Sequence, residues 1–136
     1  MTQRLITLIL MLTVILLGGC MEEVSSKLGG ERLKFNIEES LVIQELINQN
    51  QGEYQQIKEI TDKEKVEIFF SVLNNANWEN DSGKSSYPDL MINNKYSIWI
   101  LSPDNNIRIG VNNLEKNTFL SEKDSRIIYK LIVDED

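Results

Sequence analysis

The six residues Tyr96–Leu101, YSIWIL, constrain the fold more than any other stretch of the chain. In an extended chain, Tyr96, Ile98 and Ile100 fall on one side and Ser97, Trp99 and Leu101 on the other. A strand with one face in water carries polar residues at every second position, because successive side chains point to opposite faces. This run is apolar on both sides, so it is expected to be a central strand. Similar runs flank it: DLMIN (Asp89–Asn93) before and NIRIGV (Asn106–Val111) after. Asn94-Lys95 and Ser102-Pro103-Asp104-Asn105 separate them with residues that favour tight turns. A short strand near Asn117–Phe119 completes the series.

The preceding half of the chain adds a hairpin and a helix. LKFNI places Leu33, Phe35 and Ile37 on one face, as a half-buried strand would, and opens the fold near Leu33. Val42–Ile60 reads as a hairpin around the turn-rich NQNQGEY, although Leu41–Ile47 also fits a helix. Thr61 and Glu64 have capping-box spacing, and Val66, Phe69, Phe70, Leu73 and Ala76 recur at helical intervals. These residues predict a helix from Asp62 to about Asn75. Ser121 with Asp124 repeats the capping pattern before Ile127, Ile128, Leu131 and Ile132, the stripe of a C-terminal helix ending near Val133. The expected class is α+β: an antiparallel β-meander with two amphipathic helices side by side on one face.

The chain start carries a different message. Arg4 precedes the apolar run Leu5–Leu17, interrupted only by threonines, and the run stops at Gly18-Gly19-Cys20. A spanning helix needs about 20 apolar residues, so this run is too short to be one and reads instead as a secretion signal. Leu17-Gly18-Gly19-Cys20 resembles the bacterial lipobox, which implies cleavage between Gly19 and Cys20 and attachment of a diacylglycerol to the Cys20 thiol. The expected organisation is a lipoprotein signal peptide over 1–19, a lipid-anchored flexible tether over 20–32, and one domain over 33–136. Two acyl chains hold a protein on a bilayer where one does not. The domain is therefore expected on the outer side of the cell membrane.

Within the domain, the order IKEITDKEKVEIFF, YPDLMINNKYSIWI and NTFLSEKDSRIIYKLI is similar to the YhfM-like small surface lipoproteins of spore-forming Gram-positive bacteria. The shared features are Ile60, Asp62, Lys63 and Glu64 at the helix start, the Pro88-Asp89 pair, Tyr96 with Trp99-Ile100, and Thr118, Leu120 and Ser121 before the last helix. The resemblance implies fold and location. No activity is assigned to that family, so it implies no site.

Composition narrows the chemistry. The chain has 136 residues, no histidine, one cysteine and a formal charge of −7. Histidine triads, histidine metal sites, thiolate clusters and internal disulfides are excluded. The acidic balance opposes nucleic-acid binding, and no cofactor or metal is expected. Gly83-Lys84-Ser85 echoes the end of a phosphate loop, but Trp78 stands where the first glycine belongs. Asn77, Glu79 and Asp81 alternate like calcium ligands, yet Pro88 occupies the position of the closing glutamate. In the polar loop Trp78–Asp89, Trp78 and Tyr87 are the candidate exposed anchors for a partner, with Asp89 beside them, whereas Tyr96 and Trp99 are assigned to strand packing. The expected role is binding an envelope or surface protein, as a modulator, exclusion factor or inhibitor. The rival readings are a wall-modifying enzyme using two of Glu79, Asp81, Asp89 and Asp104, or a solute-capturing lipoprotein.

Overall fold

A computed structural model describes residues 30–81, 83 and 85–134 of the chain. The expected signal peptide, Cys20 and the expected tether up to residue 29 lie outside the described residues.

Leu41–Asn48 (β1) and Glu53–Ile60 (β2) form the expected antiparallel hairpin, with Leu41 opposite Ile60. The chain reverses through Gly52, whose φ of 65° lies where side chains are disfavoured. The Asn48 side chain accepts the amide N–H of Asn50 at 3.0 Å and holds the turn. The register shifts once at Ile57 and once at Ile47, and both side chains are exposed. Ile57 on β2 and Ile47 on β1 are thus bulge residues.

Lys63–Asn75 (α1) follows. Its cap is Asp62 rather than Thr61: the Asp62 carboxylate accepts the Lys65 N–H at 3.1 Å. Both residue types cap, but an anion also complements the positive end of the helix. The chain then crosses to Glu79–Asn80 (β3) before returning for Leu90–Ile92 (β4), Tyr96–Leu101 (β5), Asn106–Val111 (β6) and Lys116–Phe119 (β7). Glu122–Ile132 (α2) closes the domain, capped by Ser121, which accepts the Asp124 N–H.

Among the described residues all strand pairs are antiparallel, in one seven-stranded sheet of order β2-β1-β4-β5-β6-β7-β3. β5 is its middle strand, as its two apolar faces require. The fold is α+β, and β4 to β7 run as a meander. β3 departs from it by pairing at the far edge beside β7. Both helices lie over the face carrying Ile43, Ile92, Tyr96, Ile98 and Ile109, all fully buried. The rings of Phe69 and Phe70 meet Tyr96 at 5.6 and 6.0 Å. From α2, Ser125 reaches the sheet and accepts the Ile107 N–H at 3.0 Å. Burial, and then the nearby Glu38 carboxylate, push the Tyr96 hydroxyl far above the usual tyrosine range, so it stays protonated.

The segment Leu33–Ile37 is not a strand. Phe35 enters the core and packs on Trp78 and Tyr96, but Ile37 points into water. In place of a neighbouring strand, the Asn74 amide serves the Phe35 backbone, accepting its N–H at 2.6 Å and donating to its carbonyl at 3.2 Å. The ordered pairing also begins two residues before Leu33. Glu31 exchanges both backbone hydrogen bonds with Trp78 at 2.7 Å, and its carboxylate meets Lys116 Nζ at 2.6 Å.

Candidate functional site: the open face of the sheet

The alternation that sends Tyr96, Ile98 and Ile100 under the helices turns Ser97, Trp99 and Leu101 to the opposite face. No helix among the described residues covers that face. Strand register places Trp99 opposite Arg108 and Arg108 opposite Phe119, so the three form a row across β5, β6 and β7. The Arg108 guanidinium sits 4.5 Å from the Trp99 ring centre and 5.7 Å from that of Phe119. Such cation–ring contacts are worth about 0.5–1 kcal/mol where exposed and more where dry. Gly110 makes the arrangement fit, because a Cβ there would stand 3.1 Å from the indole. Arg108 Nε is buried without a hydrogen-bond partner among the described residues.

The loop after β3 is tied down along this face. Asp81 Oδ1 pairs with Arg108 Nη2 at 3.3 Å, and Ser85 Oγ accepts from Nη1 at 2.8 Å. The Trp99 indole N–H donates to the Ser86 carbonyl at 2.9 Å, and the Tyr54 hydroxyl to the Pro88 carbonyl at 2.7 Å. Burial, then the charge of Asp89 and the neighbouring Tyr87, raise the Tyr54 hydroxyl above its ordinary value, so it remains a donor. Tyr87 lies against Gly52, where a Cβ would come within 2.5 Å of its ring. The loop thus spans from the β3 edge to the β1–β2 turn.

Asp89 is structural. β4 begins only at Leu90, so the Ile100 N–H lacks a β4 backbone acceptor and takes Asp89 Oδ2 instead, at 2.7 Å. Asp89→Ala is expected to lower unfolding free energy by about 0.5–1.5 kcal/mol, the net worth of one hydrogen bond at a solvent-exposed site. Asp89→Asn keeps an acceptor and is expected to lose less. Urea denaturation of the two variants checks the order.

The other expected site residues are dispersed. Trp78 is not an exposed anchor: only 1 % of it is accessible, its ring packs on Phe35 at 5.3 Å, and its indole N–H donates to the Leu73 carbonyl at 3.0 Å. The polar residues around it in sequence belong to an edge strand and a loop, while alternation turns the indole itself into the core. Tyr87 is half exposed. Glu79 and Asp81 line one groove with Asn80, Ser85, Arg108, Asn117 and Phe119, of about 340 Å³. Asp104 lines a second groove on the other side of Phe119, and Asp89 a third beside Ile100 and Ile132. The four candidate carboxylates are therefore not gathered in one cleft. Among the described residues no group of three or more His, Cys, Asp or Glu side chains is placed to hold a metal ion. Lys84 lies outside the described residues, and Ser85 is engaged by Arg108.

Sequence patterning missed Arg108 and Phe119. Their signal was parity: Arg108 alternates with Ile107 and Ile109, so it had to face away from the core. Phe119 is 65 % exposed, the most exposed large apolar side chain of the domain. Comparison with protein-family models, with curated proteins and with solved structures found no match. No helix among the described residues is long and apolar enough to cross a membrane.

Proposed function

We propose that the chain is a lipid-anchored, outward-facing binding module that engages a component of the cell envelope through the open face of its sheet. The leader and the Leu17–Cys20 box support the anchoring. The similarity to the YhfM-like lipoproteins, which rests on the quoted segments, agrees with it. The observation that carries the binding role is the row Trp99–Arg108–Phe119, with its outer ring in water beside a loop tied in place by side-chain hydrogen bonds. Aromatic and arginine side chains supply much of the energy of protein interfaces, because they bury large area at little rotamer cost. A pre-ordered loop lowers the entropy lost on docking.

A photo-crosslinking residue at position 119, compared with one at the exposed Glu64 on α1, tests the face in intact cells. The expected result is a discrete adduct from position 119 and none from position 64. Adducts from 64 alone, or from neither, would remove the open face from the binding role.

A further inference from the structure

We infer that the groove between the β1–β2 hairpin and the C-terminal end of α2 is a docking site for a basic segment of a partner protein, one apolar side chain of which sits on the groove floor. Trp99, Arg108 and Phe119 do not line it, so this site is separate from the open face. The groove exists because the hairpin outruns the elements packed on it. β4 spans only Leu90–Ile92 and pairs with β1 no further than Glu45. α2 ends at Ile132. Leu41 and Ile43 are fully buried, whereas Glu45 and Ile57 are exposed. This step leaves a space of about 450 Å³, within the ~300–1,000 Å³ usual for ligand sites. Its floor is Leu90 and Ile132, both buried, with half-buried Ile100 beside them. Ile57 and Val133, both exposed, form its lips. An aliphatic side chain placed between them gains an apolar surface on three sides.

The rim sets the sign of the partner's charge. Glu45 and Asp89 line the groove, and neither forms an ion pair among the described residues. Ile132 and Val133 stand at the groove, so the last carbonyls of α2 add the negative end of a helix dipole. One ammonium already occupies that end: Lys58 Nζ donates to the Asp134 carbonyl at 3.2 Å. Lys58 is the one cationic side chain among the described lining residues, and the neighbouring Asp134 carboxylate balances it. Glu135 and Asp136, next in sequence, carry the same sign as Asp134. Two carboxylates therefore remain for a partner's lysine or arginine, and an acidic segment is repelled. A fatty acid would meet the apolar floor but bring its own negative charge to this rim.

Fluorescence anisotropy of dye-labelled hexapeptides, titrated with the full chain in a zwitterionic detergent, tests the inference. KKLLKK is expected to bind saturably. KKSSKK, which lacks the apolar anchor, and EELLEE, which reverses the charge, should each bind about tenfold more weakly or worse. Glu45→Lys on the rim and Ile57→Ser on the lip should each weaken KKLLKK by about tenfold or more, with thermal melts confirming that both variants fold. Leu114→Ser, in the exposed turn between β6 and β7, should leave binding unchanged. No saturable binding of KKLLKK, equal binding of KKSSKK or EELLEE, or affinity indifferent to both Glu45→Lys and Ile57→Ser overturns the inference. Crosslinking from position 119 reports on the other face of the sheet, so the two readings stand or fall separately.

Discussion

Trp78→Ala is expected to destabilise the domain by about 3–5 kcal/mol, the range for deleting a buried aromatic side chain. The indole is sealed between Phe35 and α1, and its N–H donates to the Leu73 carbonyl at the helix end, which also accepts the Ala76 N–H. Its backbone also exchanges two hydrogen bonds with Glu31, the first pairing of the fold. The substitution removes the ring packing and the indole hydrogen bond together, while the backbone pairing with Glu31 is retained. Against a typical total stability of about 5–15 kcal/mol, the loss brings the domain close to unfolding. Tyr87→Ala, in the same loop, is expected to cost about 1 kcal/mol or less, because half of the ring is already in water. Urea midpoints of the two variants test the contrast. Equal losses would contradict the placement of Trp78 in the core. The result also bears on function: lost binding in a Trp78 variant would report unfolding, not a removed contact.

The second large effect is expected at Asn93, in the turn between β4 and β5. Its φ of 53° is a left-handed conformation that asparagine tolerates better than most residues. Its side chain accepts the Val42 N–H at 2.7 Å and donates to Glu38 Oε2 at 2.5 Å and to the Ser40 carbonyl at 3.0 Å. One amide thus fixes the entry to β1 from a turn some fifty residues away. Asn93→Ala removes all three bonds and adds backbone strain, an expected loss of about 2–4 kcal/mol. Asn93→Gly removes the same bonds but relieves the strain, so it should be the milder variant by about 1 kcal/mol. Thermal or urea unfolding of the pair separates the two causes. A glycine variant as unstable as the alanine variant would show that strain contributes nothing.

Asn93 and Asn74 also explain where sequence reading stopped. Periodicity found both helices, the hairpin and strands β4 to β7, because each buries one regular face and that regularity is local. It placed Leu33–Ile37 in a strand because Leu33 and Phe35 do point inward. Nothing local announced that the segment would hydrogen-bond to a side chain on α1 rather than to a neighbouring strand. β3 was hidden for a related reason: two residues give no period, and their pairing with β7 is set by tertiary contact. The candidate site depended on register. Trp99, Arg108 and Phe119 are separated in sequence by two turns, and only the observed pairing aligns them. The exposure of Tyr87 follows from its polar loop, a local pattern. Trp78 was misread by the same rule, since its exposure was inferred from its neighbours.

The proposed anchor at Cys20 would set the side of the membrane on which the open face works. The intact mass of the protein extracted from membranes tests it most directly. The predicted species starts at Cys20, lacks residues 1–19 and carries the mass of a diacylglyceryl group on that residue. A chain that retains residues 1–19, or a processed chain whose Cys20 thiol is free, would contradict it.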